Sequence, residues 1–145
     1  MFKMCEDQHV YDELALYTLG HEDPSFIHQY VVDARAAMQA GPETKPITLT
    51  FALVGLYLHV EKKWAGRQVQ KAHMKMARFK KAWPAFDFPD ERGDVTVAIV
   101  LAAEPGPARD GKIDAWCESV WKSWSSCRAN REKVVKLVKV ELGVD

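Results

Sequence analysis

Three histidines that fall in three successive predicted helices are the residues with the clearest potential for chemistry. His28 lies in a second helix, His59 near the end of a third, and His73 on the core-facing stripe of a fourth, close to Val69. Imidazoles presented from several helices of a bundle can form a metal centre or an acid–base site. We therefore predict a polar site built from His28, His59 and His73, with a divalent metal such as zinc as its possible cofactor.

Antiparallel packing of consecutive helices determines which of these side chains can meet. The start of the second helix and the end of the third lie at the same end of a bundle, so we expect the His28 and His59 rings within about 8 Å of each other. His73 needs a helix tilt to reach them. Glu61 and Asp33 are predicted to accept hydrogen bonds from the imidazoles and to fix their tautomers.

Each histidine also has a purely structural interpretation. A half-buried histidine is more often a core residue bonded to a backbone carbonyl or a carboxylate than a ligand. The sequence contains no phosphate-binding glycine loop, no Gly-x-Ser-x-Gly, no Cys-x-x-Cys and no His-Glu-x-x-His. No catalytic residue can be assigned from it.

The elements that must position the histidines follow from helical periodicity and from Pro and Gly stops. The predicted helices are a first over 8–19, a second from Asp23-Pro24 to Gly41-Pro42 that includes Phe26 and Ile27, a third over 47–63, and a fourth from Gly66 through Phe79 and Trp83 to Pro84. Only Thr48, Thr50 and His59 are polar between Ile47 and Val60, so the third helix should be central.

Two later segments leave alternatives open. Residues 95–103 have strand propensity, but no partner strand exists elsewhere in the chain, so a short buried helix is preferred. After this Pro/Gly-rich connector an apolar stripe runs from Ile113 to Leu142, and it predicts either one long helix or two helices separated near Ser125-Ser126. Cys117 and Cys127 lie on that stripe about 15 Å apart along a helix and should be free thiols.

Length and composition limit the class of protein. With 145 residues, 48% of them hydrophobic, the chain fits one all-α domain over 1–145, a bundle of about five to six helices. Twenty basic and twenty acidic residues give a net charge of zero, so nucleic-acid binding is not expected. No apolar run reaches the roughly 18 residues of a membrane span. An odd cysteine count and an acidic N-terminus favour the cytoplasm.

Several stretches resemble an uncharacterised bacterial family of small helical proteins, a domain of unknown function. They are YTL at 17–19, HQYVVDA at 28–34, KPI at 45–47, FALVGLYLHVEK at 51–62, GRQVQxAHM at 66–74 and WCxSVW at 116–121, where x is any residue. The sequence departs from that pattern at Arg35, where an aromatic residue is usual, and near Cys127-Arg128, where a histidine is expected. The resemblance implies a helical fold and no particular activity.

Three functions therefore stay open at this point. The first is an uncharacterised protein whose histidines form a polar or metal site. The second is a metal-dependent hydrolase or thiol transferase similar to DinB-like bundles, although the chain lacks their tight His-x-x-x-His pair. The third is a non-enzymatic interaction module that forms a homodimer. The sequence does not identify a small-molecule ligand.

Overall fold

The computed structural model describes residues 2–20, 26–78 and 82–144, with side chains from residue 8 onward. Within these ranges the structure is all-α, as predicted, and has seven helices rather than five to six. The helices are α1 Phe2–Leu19, α2 His28–Gln39, α3 Pro46–Val60, α4 Gly66–Met76, α5 Val97–Ala102, α6 Pro107–Ser125 and α7 Arg128–Leu142.

Helix α3 lies at the centre of the bundle, as its composition predicts. It packs against α2, α4, α6 and α7, and its residues from Leu49 to Leu58 are buried with the exception of the half-buried Phe51. The tryptophans of α6 complete the core against α2 and α3, and Trp116 and Trp124 are fully buried. Aromatic side chains contribute large apolar areas, so this contact supplies much of the hydrophobic stabilisation.

The start of α2 differs from the prediction. Asp23 and Pro24 lie outside the described residues, but Phe26 has a φ of +49°, a left-handed conformation that a right-handed helix cannot include. The helix therefore begins at His28. The Phe26 ring instead lies under the guanidinium of Arg67 at the start of α4, at 4.2 Å.

Helix α4 is shorter than predicted, because it ends at Met76 and does not continue to Trp83. Phe79, which was expected on its apolar face, lies outside the described residues. The chain from Ala82 to Pro89 has no helical structure, and buried Asn130 of α7 pairs with the backbone N–H and carbonyl of Asp87 there. Those hydrogen bonds from a distant side chain pair the backbone groups of this non-helical segment.

The C-terminal stripe forms two helices, which is the second of the two alternatives that the sequence leaves open, with the break next to Ser125-Ser126. The chain is extended at Cys127, and the Asn130 amide donates to the carbonyl of Trp124 at 3.1 Å, near the end of α6. Cys117 and Cys127 are free, as expected.

The short buried helix preferred for residues 95–103 is confirmed as α5. Thr96 caps it by accepting from the Ile99 N–H at 3.2 Å, which satisfies one of the free donors at a helix start.

The C-terminus of α2 is closed by Arg92 from the connector before α5. Its guanidinium donates to the carbonyls of Ala37 at 3.2 Å and Ala40 at 2.8 Å, and to Pro89 at 2.9 Å. The same group lies 4.9 Å from the Trp124 ring. A cation at a helix C-terminus pairs the last carbonyls and complements the helix dipole, so Arg92 fixes the position of α2.

Candidate functional site

The candidate site lies where α2, α3 and α4 meet, and a glycine makes the close approach possible. Asp33 of α2 and His73 of α4 both point at Gly55 of α3. A β-carbon at position 55 would lie 1.9 Å from Asp33 Oδ2 and 3.1 Å from His73 Nε2. Glycine inside a helix costs about 1 kcal/mol relative to alanine. Here it provides the space that the Asp33 carboxyl group occupies.

Gln29 links the two ionisable groups. It lies one turn before Asp33 on α2, and its Nε2 donates to Asp33 Oδ1 at 3.1 Å and lies 3.3 Å from His73 Nδ1. The two remaining polar atoms, Asp33 Oδ2 and His73 Nε2, are buried, have no hydrogen-bond partner and are 4.0 Å apart. Unpaired buried polar atoms are rare in proteins and call for an explanation.

Burial shifts the protonation of both groups towards their neutral forms. Desolvation raises the pKa of Asp33 well above its usual value, against a smaller lowering by the Gln29 hydrogen bond. Desolvation lowers the pKa of His73 to about 4, against a smaller raising by the backbone carbonyl of Phe51, a contact whose geometry falls short of a hydrogen bond to the ring. Burial thus favours a neutral carboxyl group beside a neutral imidazole, and in that state the one titratable proton of the pair lies on the carboxyl group.

A cleft of about 360 Å³ adjoins this pair. Its wall is mainly apolar, with Gln29, Asp33, His73 and Thr48 as the polar members, and the remaining lining residues are Val32, Ala36, Ile47, Phe51 and Ala52. No lysine or arginine is among these described lining residues. An apolar wall with a few convergent polar groups is typical of small-molecule sites.

Phe51 forms the aromatic part of the cleft. Its ring stacks on the His73 imidazole with centroids 5.2 Å apart, and Trp83 meets it edge-on at 5.5 Å. Trp83 reaches this position because α4 ends before it.

The structure brings together Asp33 and His73 and places the other predicted site residues elsewhere. His28 Nδ1 lies 2.9 Å from Thr18 Oγ1, and desolvation lowers the pKa of His28. Glu61 accepts from the Arg131 guanidinium and from the Trp121 indole, the latter at 2.7 Å, and the Arg131 hydrogen bond lowers its pKa. Glu61 is thus engaged in linking α7 and α6 to the end of α3.

His59 has its own surroundings on the side of the bundle where α2 and α6 meet. Its Nε2 lies 3.0 Å from Asp114 Oδ1, and its ring stacks on Tyr30 with centroids 3.5 Å apart. Among the described residues, His28 and His59 share no hydrogen-bond or ring partner. No group of three or more His, Cys, Asp and Glu side chains in the described part of the chain is arranged to hold a metal ion.

Gln29, Gly55 and Phe51 were not identified from the sequence as site residues. Two signals were available. Gln29 precedes Asp33 by four residues, which puts both on one helical face. Gly55 is the glycine inside the otherwise apolar third helix, and such a glycine indicates a close approach. Phe51 has no comparable signal, because one aromatic residue in an apolar helix is indistinguishable from core.

Comparison with known proteins gives one match. Residues 4–125 match the model of a family of unknown function, DUF5946, a stretch that contains the whole of the site. No curated protein and no solved structure matches the chain. Within the described ranges, no helix combines the length and the apolar character that a membrane span requires.

Proposed function

The chain belongs to the DUF5946 family, and we propose that it binds a small, mostly apolar molecule in the cleft between α2, α3 and α4. The polar end of the site consists of Gln29, Asp33 and His73, and the apolar wall holds the body of the ligand. One observation carries this proposal: Asp33 Oδ2 and His73 Nε2 are both buried and unpaired at the same point.

Energetics supports a binding role over a purely structural one. A buried polar atom without a partner costs about 1–3 kcal/mol. Two such atoms, and the helical glycine that leaves space for them, lower the stability of the folded chain. Apolar side chains of similar volume would avoid this loss. A ligand that forms hydrogen bonds to these atoms recovers that free energy on binding.

The test uses protein labelled with ¹⁵N at histidine and small uncharged aromatic probes such as benzamide and acetanilide. Binding in the cleft should shift the side-chain nitrogen signals of His73 and leave those of His59 unchanged. Shifts of both histidines, or of neither, would contradict the proposal.

Two matched variants separate the cleft from the rest of the surface. Ala36 lines the cleft, so Ala36→Trp should fill it and abolish the His73 shifts. Ala98 lines a different cavity between α2 and α5, so Ala98→Trp should leave them intact. Both variants should retain the helical circular-dichroism spectrum, because both positions are at least partly exposed.

A further inference from the structure

The polar atoms of the site identify the chemical class of the ligand, an inference that rests on the proposed binding function. The Gln29 amide nitrogen is a donor, and it faces both Asp33 Oδ1 and His73 Nδ1. His73 Nδ1 is therefore the acceptor nitrogen of the ring, and the proton of the neutral imidazole lies on Nε2.

The hydrogen bond from Gln29 also determines which oxygen of the Asp33 carboxyl group carries the proton. Oδ1 accepts from Gln29, so when the group is protonated its proton lies on Oδ2. No cation among the lining residues favours the ionised form, and the burial described above favours the acid. Both unpaired atoms are then hydrogen-bond donors.

We infer that these two donors, Asp33 Oδ2 and His73 Nε2, converge on one acceptor oxygen, and that the ligand is an uncharged carbonyl compound with an apolar or aromatic body. The two atoms are 4.0 Å apart. An oxygen about 2.8 Å from each of them would receive the two hydrogen bonds at about 90° to each other, which the two lone pairs of a carbonyl oxygen accommodate.

The alternative ligand classes fit less well. An organic anion would enter a site without a lysine or arginine in its wall. An ammonium group would need two acceptors, whereas His73 Nε2 carries a proton. An alcohol supplies one acceptor oxygen, but its hydroxyl hydrogen needs an acceptor that neither of the two donor atoms provides.

The carbonyl oxygen must approach from the cleft side. Both donor atoms are closed off from water, and the Phe51 ring covers the His73 imidazole. A ligand oxygen therefore reaches these atoms only if the Phe51 ring moves, and the aromatic ring of the ligand would then pack against Phe51.

The experiment compares four probes built on one skeleton: acetophenone, 1-phenylethanol, cumene and 1-phenylethylamine. Dissociation constants come from titrations followed by the ¹⁵N signals of His73. We expect acetophenone to bind about tenfold or more tightly than cumene, since one or two net hydrogen bonds are worth about that factor. The phenylethylamine should bind no more tightly than cumene.

The variants Asp33→Asn and Asp33→Leu test the role of the carboxyl proton. An asparagine amide can donate from the Oδ2 position, so Asp33→Asn should keep the preference for acetophenone over cumene. Leucine has no donor, so Asp33→Leu should lose that preference. In the ligand-free protein, the ¹⁵N shifts of His73 should report a proton on Nε2.

The outcomes distinguish this inference from the proposed function. Equal binding of acetophenone and cumene, preference for the amine, or a proton on Nδ1 of His73 would overturn the carbonyl assignment while ligand binding in the cleft stands. If none of the four probes binds and benzamide and acetanilide also fail, both proposals are wrong.

Discussion

Replacement of Gly55 by alanine tests the central geometric feature of the site. The added β-carbon would lie 1.9 Å from Asp33 Oδ2 and 2.6 Å from its Cγ, so the short, buried carboxyl side chain must move. Overpacking of this kind costs about 1–3 kcal/mol. Loss of the Gln29 hydrogen bond adds about 1 kcal/mol, and the better helix propensity of alanine returns about 1 kcal/mol. We expect Gly55→Ala to lower the free energy of unfolding by about 1–3 kcal/mol.

Gly111 provides the matched control for this substitution. It lies on the exposed side of α6, and no atom is within 4 Å of a β-carbon built there. Gly111→Ala should therefore raise the free energy of unfolding by about 0.5–1 kcal/mol through helix propensity alone. Urea unfolding monitored by circular dichroism gives the free energy of unfolding of both variants. The two values are comparable if the m-value is the same for both.

A double variant identifies the source of the Gly55 effect. Asp33→Ala removes the atoms that the new methyl group would meet, so adding Gly55→Ala in that background should be neutral or stabilising. The coupling energy between the two substitutions should then be about 2 kcal/mol or more. If Gly55→Ala stabilises the otherwise unaltered chain as much as Gly111→Ala does, the close packing of Asp33 against α3 is not as described.

Five further substitutions test other features of the same structure. Asp33→Asn leaves His73, with its pKa lowered to about 4, as the titrating member of the pair, so stability should fall by about 3 kcal/mol as pH drops from about 6.5 to 4. His73→Gln should give the opposite dependence, with stability falling as pH rises, because the pKa of Asp33 is raised in the folded chain. Urea unfolding at several pH values measures both dependences. The same slope of stability against pH in the two variants would contradict this. Arg92→Lys should speed amide exchange in the last turn of α2 and cost about 1–2 kcal/mol, since an ammonium cannot reproduce the several carbonyl contacts; unchanged exchange would argue against the cap. Asn130→Ala should cost about 2–4 kcal/mol in denaturant unfolding because buried backbone groups lose their partner, whereas a value near zero would show that water replaces the amide. Leu53→Asp should prevent soluble folding, and a cooperative melt of that variant would show that α3 is not the core.

Local sequence determined most of the helical architecture. The apolar composition of residues 47–60 is enough to place α3 at the centre, because a helix without a polar face must be buried on most sides. The choice of helix over strand for α5 also came from the sequence, since a lone strand would leave its backbone groups unpaired. These features depend on composition, periodicity and backbone hydrogen bonding, all of which can be read within one segment.

The ends of the helices are harder to predict from the sequence, because side chains from distant parts of the chain help to determine them. Asn130 lies 43 residues from Asp87, and Arg92 lies more than 50 residues from the carbonyls at the end of α2. Neither partner can be inferred from local propensity. Such long-range contacts stabilise helix ends and non-helical segments that a local sequence pattern does not specify.

For the site, the sequence determined which residues have the chemistry, and the tertiary structure decided which of them meet. His73 and Asp33 were both identified from their types, but each was expected to serve a cluster around His28 and His59. Helix periodicity fixes the face on which a side chain lies and leaves the tilt and separation of neighbouring helices undetermined. Gly55 permits the close approach here, because its missing β-carbon leaves room for a carboxyl group from α2 and an imidazole from α4 that lie 4.0 Å apart.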